Sequence, residues 1–235
     1  MLLRGIRVVS LDAMNTIVGL RDSPGVVYAR SATECGIAAN PEEVKKRFLS
    51  SFKKLEKAKP CYDFDGEGAK RWWSDVIAES LGFDMQSKDS RVQQVQSRLF
   101  EYYASVEPWK LIDEEVINHL ERLQSRQIGV VVVSNFDYRL RRILSDLKVS
   151  EFIDEMFLSG EIGFQKPDSR LFAHVLHRLN LSDFPESFLH VGDHPEKDFD
   201  APRSLGLRAK LLKASAPQPS ASRNSFIRSL NDLFE

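Results

Sequence analysis

Ile128-Gly129-Val130-Val131-Val132-Val133-Ser134-Asn135 is an unbroken apolar run with four valines in a row, stopped by two polar residues. Continuous apolarity, rather than alternation, predicts a strand buried on both faces, as in a parallel sheet covered by helices. Four further short runs share this character, at residues 6–11, 156–158, 188–191 and 208–212. From residue 110 onward, helical stretches separate them. Asp113 is placed to cap a helix with Glu114 and Glu115 in its first turn and Leu120 and Leu123 further along. Residues 138–147 put Leu140, Ile143, Leu144 and Leu147 on one stripe, and 170–179 do the same with Leu171, Val175, Leu176 and Leu179. Strand and helix alternate, which predicts an α/β fold of right-handed βαβ units around a parallel, Rossmann-like sheet.

Residues 18–107 break the alternation. They show no clear strand and read as four helices. Ser23-Pro24 opens the first and Gly36 closes it; Asn40-Pro41-Glu42-Glu43 opens the second; 69–81 and 92–103 supply the others. A helical block between the first strand and the rest reads as an inserted cap domain. The expected division is a core of 1–17 and 108–235 and a cap of 18–107, joined through hinges at 17–22 and 105–108. Residues 214–225, rich in Pro, Ser and Ala, read as a flexible lead into a final helix at 226–234.

Composition narrows the function. The chain has 235 residues, 33 Lys+Arg against 34 Asp+Glu, and a net charge of −1. Such a balance gives no drive toward nucleic acid or anionic membrane. No apolar run approaches the roughly 20 residues of a membrane span, and the N-terminus, with Arg4 and Arg7 in its apolar stretch, reads as a first strand rather than a signal peptide. Two cysteines, Cys35 and Cys61, fit a reducing compartment. The expectation is an intracellular protein, cytoplasmic or nuclear; the pattern specifies no oligomeric state.

Ligands of open parallel sheets bind at the carboxyl ends of the strands. Asp12 follows the first strand, Ser134-Asn135 the valine strand, and Gly192-Asp193 the strand at 188–191; Lys166 sits in the loop after 156–158. Two carboxylates, a hydroxyl and an ammonium on one rim suit a hard cation and an anionic ligand.

The segments LDAMNT (11–16), VVSNFD (132–137), GEIGFQKPD (160–168) and HVGDHPEKD (190–198) resemble, in order, the four motifs of the haloacid dehalogenase-like hydrolase superfamily. DSPGVVYA (22–29), RWWSDVI (71–77) and SVEPWKLID (105–113) are similar to its domain-containing protein 3 group. The resemblance implies Asp12 as the nucleophile forming an aspartyl intermediate. It makes Ser134 a donor to a phosphoryl oxygen and Lys166 the clamp on nucleophile and transferred group. Mg²⁺ would be held by Asp12, the Met14 backbone carbonyl and Asp193, with support from Asp198. Asn135, Thr16 and His194 would contact substrate or position Asp12. The implied partner is a small phosphorylated metabolite.

One position departs from the pattern. The superfamily's phosphatases carry a second aspartate two residues after the nucleophile, which protonates the leaving oxygen and then activates water. Here that place is Met14, which transfers no proton; loss of a general acid/base typically costs about 10²–10⁴ in rate. Three readings therefore stand: a phosphatase-like hydrolase, a weak or inactive relative that binds a ligand or partner, and a dehalogenase, whose halide leaves without a proton.

Smaller signals have plainer readings. Of Trp72 and Trp73, about 100° apart on a helix, one belongs in the core and one near the cap–core seam. The basic stretch from Lys45 to Lys59 is a solvated helix face, both cysteines are structural, and the acidic segment 63–68 is a flexible cap loop rather than a calcium site.

Overall fold

The computed structural model describes residues 2–212 and 225–235. The five expected strands are present as β1 (Val8–Leu11), β4 (Gly129–Ser134), β5 (Glu155–Leu158), β6 (Phe188–Gly192) and β7 (Arg208–Leu212). With β8 (Phe226–Ile227) they form one parallel sheet in the order β5-β4-β1-β6-β7-β8. The valine run explains the layering. Val130 and Val132 face a core shared with Leu120, Leu123, Leu140, Ile143 and Leu144. Val131 and Val133 point to the other face, onto Leu171, Phe172, Val175 and Leu176. From Val130 to Ser134 every position of β4 is therefore buried, which is why alternation is missing from this run.

Between β1 and β4 lie α1 (Pro24–Glu34), α2 (Pro41–Ala58), α3 (Gly68–Ser80) and α4 (Ser90–Ala104). Asn40 caps α2 by accepting from the backbone N–H of Glu42 and Glu43, at 3.0 and 3.2 Å. These helices bury a core of their own around Val27, Tyr28, Val44, Ile77, Val95 and Leu99. Between α2 and α3, Cys61, Tyr62 and Asp63 have φ of 53°, 61° and 61°, a left-handed turn of three non-glycine residues. Trp72 is buried and donates through Nε1 to the Lys59 carbonyl, while Trp73 reaches Asp137 across the seam, so the pair divides as expected.

Three expectations are corrected. Residues 18–107 are not free of strand: β2 (Val18–Leu20) pairs antiparallel with β3 (Trp109–Leu111), joining the two chain crossings in a ribbon. Three-residue strands carry too few positions to show a period. Val116–Gln124, α5, begins after Asp113, whose carboxylate instead accepts from Glu115 N in the preceding turn. The expected C-terminal helix is strand β8 followed by a 3₁₀ turn at Leu230–Phe234, because Phe226 and Ile227 complete the sheet edge beside β7. The expected flexible lead at 214–225 lies outside the described residues, Ser225 excepted. The longer remaining core helices are α6 (Arg139–Asp146) and α7 (Ser169–Arg178), and short helical segments follow β5 and β6 at Ser159–Ile162 and Pro195–Asp200. Among the described residues no helix is long and apolar enough to cross a membrane.

Leu140 on α6 is fully buried in the sheet-facing core. Leu140→Ala is expected to lower unfolding free energy by about 2–5 kcal/mol in urea titrations.

Candidate active site

The register of the sheet assembles the site. Leu11 is level with Val132 on one side and Val191 on the other, so Asp12 emerges beside Val133-Ser134 and Gly192-Asp193. Its backbone N–H donates to the Val191 carbonyl at 2.8 Å, continuing the ladder one residue past the strand.

Lys166 is only 1% exposed, and its ammonium has three acceptors for its three protons. Nζ donates to Asp12 Oδ1 at 2.8 Å, Asp198 Oδ1 at 2.6 Å and the Val133 carbonyl at 2.8 Å. Burial by itself would lower the lysine pKa, but the two carboxylates raise it above its ordinary value. Asp198 is the mirror image. Burial pushes its carboxyl up, yet the Lys166 ammonium and a hydrogen bond from His190 hold it well below the usual range. Because Asp198 can only accept, His190 carries its proton on Nε2, 3.0 Å from Oδ1, and its Nδ1 accepts from the Ser10 hydroxyl at 2.9 Å. Burial drives the His190 pKa down, keeping the ring neutral. Asp198 Oδ2 also accepts from His194 N at 2.9 Å. This carboxylate packs so close to β6 that a Cβ on Gly192 would lie 2.3 Å from Asp198 Cγ.

Asp193 sits in a different environment. Burial raises its pKa against the pull of a hydrogen bond from Asn15, and Asp12 and Asp198 raise it further. Asn15 Nδ2 donates to Asp193 Oδ2 at 3.1 Å from a left-handed backbone, φ 57°, that asparagine tolerates well. Asp12, Asp193 and Asp198 each bring one oxygen within 4.8 Å of the others. Hard oxygen donors and a carboxylate whose ionised form is disfavoured by its neighbours fit a divalent cation. Asp198 already accepts three hydrogen bonds, so Asp12 and Asp193 are the freer donors. The Met14 carbonyl accepts no backbone hydrogen bond among the described residues and is a third.

A cavity of about 220 Å³ opens over this cluster, lined by Asp12, Met14, Ser134, Asn135, Lys166, Asp193, His194 and Asp198. Eight of the nine residues singled out in the sequence thus share one cavity. Thr16 does not: the turn in which Thr16, Ile17 and Val18 all donate to the Ala13 carbonyl carries it inward, where its hydroxyl has no partner. Asn135 lines the cavity, but its amide is engaged with the Lys166 backbone, accepting from N at 2.7 Å and donating to O at 2.8 Å. It positions Lys166. His194 is exposed at the rim, where Nδ1 accepts from Lys197 N at 3.4 Å.

Several contributors escaped sequence reading. Ser10, His190 and Asn15 build the supports under the aspartates. The inserted helical block adds Phe52, Glu56, Cys61, Tyr62 and Trp72 to the cavity wall. The left-handed turn is pinned to the core by Tyr62 Oη donating to the Asn135 carbonyl at 2.9 Å and Cys61 N donating to Gln165 Oε1 at 3.0 Å. Glu56 pairs with Lys197 at 3.1 Å, and Trp73 Nε1 donates to Asp137 Oδ2 at 2.8 Å. Polar residues inside an otherwise apolar strand, Ser10 and His190, were the one signal available.

A parallel sheet whose strand ends gather a lysine-clamped aspartate and two further carboxylates defines a Rossmann-like hydrolase. The chain belongs to the haloacid dehalogenase-like hydrolase family, whose model matches residues 6–206. It is 28% identical over 221 residues to haloacid dehalogenase-like hydrolase domain-containing protein 3 of Mus musculus, covering 94% of this chain and 87% of the relative. Among solved structures it is similar to 2-haloacid dehalogenase from Pseudomonas syringae, at TM-score 0.68 and 21% identity over 97% of this chain and 96% of the other. It is also similar to a phosphatase of the same family from Thermococcus onnurineus, at TM-score 0.66 and 19% identity over the same shares of both chains. At such identities the two structures share the fold.

Two stability experiments follow from the charges. Lys166→Met leaves two buried carboxylates uncompensated and is expected to cost about 3–5 kcal/mol at pH 7. In the wild type, the low-pKa Asp198 contributes stability above the unfolded aspartate pKa of about 3.9, lost as pH falls toward its folded value. The deficit of Lys166→Met in urea titrations is therefore expected to shrink on acidification. Asp193 has the opposite sign: its raised pKa imposes a penalty that grows as pH climbs past about 3.9. Asp193→Asn is expected to melt above wild type at pH 7 in chelator, with the gain gone in acid.

Proposed function

We propose that this hydrolase is a Mg²⁺-dependent phosphatase acting on a small phosphorylated metabolite. The carrying observation is the buried contact of Lys166 Nζ with Asp12 Oδ1, beside two further carboxylates at the strand ends. With Oδ1 held by Lys166, the second carboxylate oxygen of Asp12 is left to attack phosphorus. The ester P–O bond breaks and its electrons leave with the oxygen. Water then attacks the aspartyl phosphate, releasing phosphate and restoring the carboxylate. Lys166 holds Asp12 in orientation, and Ser134 at the end of β4 would donate to a phosphoryl oxygen. Asp12, Asp193 and the Met14 carbonyl would hold Mg²⁺, with Asp198 in support; the ion would draw charge from the phosphoryl oxygens. In this reading the α1–α4 block is a cap domain closing over the core, with the β2–β3 ribbon at the hinge between them.

Met14 favours a second reading, a weak or inactive relative whose cavity binds a ligand or partner, since it supplies no proton to a leaving oxygen. Dehalogenase chemistry is a third reading, because halide departs without one.

A panel of phosphate esters with Mg²⁺ separates them. The phosphatase reading expects slow turnover that Asp12→Asn abolishes. A wild type equal to Asp12→Asn on every ester, with Met14→Asp alone gaining activity, supports the second reading. Mg²⁺ is also expected to raise the melting temperature of wild type and not of Asp193→Ala; equal shifts in both count against the metal assignment.

A further inference from the structure

Met14 lines two cavities. The first is the candidate site; the second, about 410 Å³, lies between the α1–α4 block and the core. Phe52, Tyr62 and Asn135 are shared walls as well, so the two spaces adjoin at these residues. A volume of this order suits a drug-sized organic body, for which pockets of about 300–1,000 Å³ are usual. Its walls are largely apolar and half of the lining residues are aromatic, including Phe48, Trp73, Phe100 and Trp109. The buried charge among them is already neutralised. Arg139 donates to both oxygens of Asp137, at 2.9 and 2.7 Å, and its guanidinium lies 5.1 Å from the Trp73 ring and 4.3 Å from the Phe100 ring. Exposed Lys45 and Leu49 mark the mouth.

Met14 also stands where a phosphatase of this family would keep its proton donor. The remaining ionisable groups around both cavities are poor substitutes. Glu56 is paired with Lys197, and Lys166 with Asp12 and Asp198. Tyr62 donates its proton to the Asn135 carbonyl, and burial pushes Cys61 up to about 11. Burial likewise raises Tyr28 and Tyr103, which line only the second cavity. Asp193 belongs to the carboxylate cluster that would hold the metal and Lys45 lies out at the mouth of the second cavity, which leaves His194 on the exposed rim of the first.

A site that offers no proton on the leaving side and an aromatic chamber beside it selects two properties together. We propose that the substrate is an aryl phosphate, the monoester of a phenol whose ring body occupies the second cavity and whose oxygen departs unprotonated. This rests on the phosphatase reading and narrows its substrate class. In the first step a bond forms from Asp12 to phosphorus, the P–O(aryl) bond breaks, and the electron pair leaves as phenolate, delocalised into the ring; the phenolate takes its proton from solvent. In the second, water bonds to phosphorus, the Asp12–phosphorus bond breaks with its electron pair returning to the carboxylate, and of water's two protons the released phosphate keeps one while the other passes to solvent. An alkoxide leaving group lacks that delocalisation and is disfavoured by the same site.

The test uses the full chain with Mg²⁺ and a series of substituted phenyl phosphates, 1-naphthyl phosphate and the alkyl ester glycerol 3-phosphate. kcat/KM is expected to fall steeply as the leaving-group pKa rises, with the alkyl ester at least about 10²-fold slower than the aryl esters. Met14→Asp is expected to flatten that slope and raise alkyl turnover. Binding gives an independent readout. By calorimetry, Asp12→Asn is expected to bind 1-naphthyl phosphate about tenfold tighter than glycerol 3-phosphate, and Leu49→Glu at the exposed mouth to erase that margin. Comparable turnover of alkyl and aryl esters overturns the proposal and leaves the phosphatase reading intact. A slope that steepens in His194→Gln makes His194 the proton donor and also overturns it. Absence of Asp12-dependent turnover with every ester removes the phosphatase reading, and the proposal with it.

Discussion

A lysine ammonium buried without partners would be prohibitively expensive, and the site is organised around meeting that demand at Lys166. Its three protons reach acceptors from three places in the chain: Asp12 after β1, the Val133 carbonyl on β4, and Asp198 in the turn after β6. None of these can move far without stranding a charge. The requirement extends outward through Asp198 to His190 and Ser10, paired across neighbouring strands at one register position. It extends along the chain to Asn135, whose amide holds the Lys166 backbone from both sides. Gly192 belongs to the same constraint, since the Asp198 carboxylate occupies the space a side chain would need. Much of the polar design beneath the cavity is therefore one connected network, and a connected network in a low-dielectric interior is stiff.

The opposite wall is held differently. Residues 61–63 adopt a backbone that L-residues avoid, and contacts to the core hold it: the Tyr62 phenol and the Cys61 backbone amide each find a partner there, while the neighbouring Trp72 indole bonds the Lys59 carbonyl within the helical block. Trp73 adds a bond to Asp137, itself locked by Arg139. Polar contacts thus tie the helical block to the core around the cavity, while the space behind them stays apolar. Met14 occupies the boundary between these regimes. A thioether is compatible with both sides, whereas a carboxylate there would face the apolar chamber with a charge to satisfy.

The sheet was legible because burial on both faces removes alternation from its strands, and the valine run needed no other context. The four helices of the inserted block were legible from their caps and stripes. What escaped was short or context-bound: β2 and β3 are three residues each, and β8 is a two-residue completion of the sheet edge that resembled the start of a helix. Strand-end logic and motif spacing singled out Asp12, Ser134, Lys166, Asp193 and Asp198, which share one cavity because Asp12, Ser134 and Asp193 follow neighbouring strands and the segments after β5 and β6 bring Lys166 and Asp198 back to them. Thr16 went astray because the inward curl around the Ala13 carbonyl depends on backbone hydrogen bonds that no spacing encodes.

Local sequence thus determined which residues could carry charge at the strand ends and that Met14 transfers no proton, since these follow from side-chain chemistry and periodicity. Only the tertiary structure decided which partners hold them. Asn135 turns to the Lys166 backbone, His190 is a neutral donor under Asp198, and the inserted helical block brings Tyr62 and Glu56 to the cavity wall. Those outcomes depend on contacts between residues from eight to more than a hundred positions apart, made by folding rather than by local spacing.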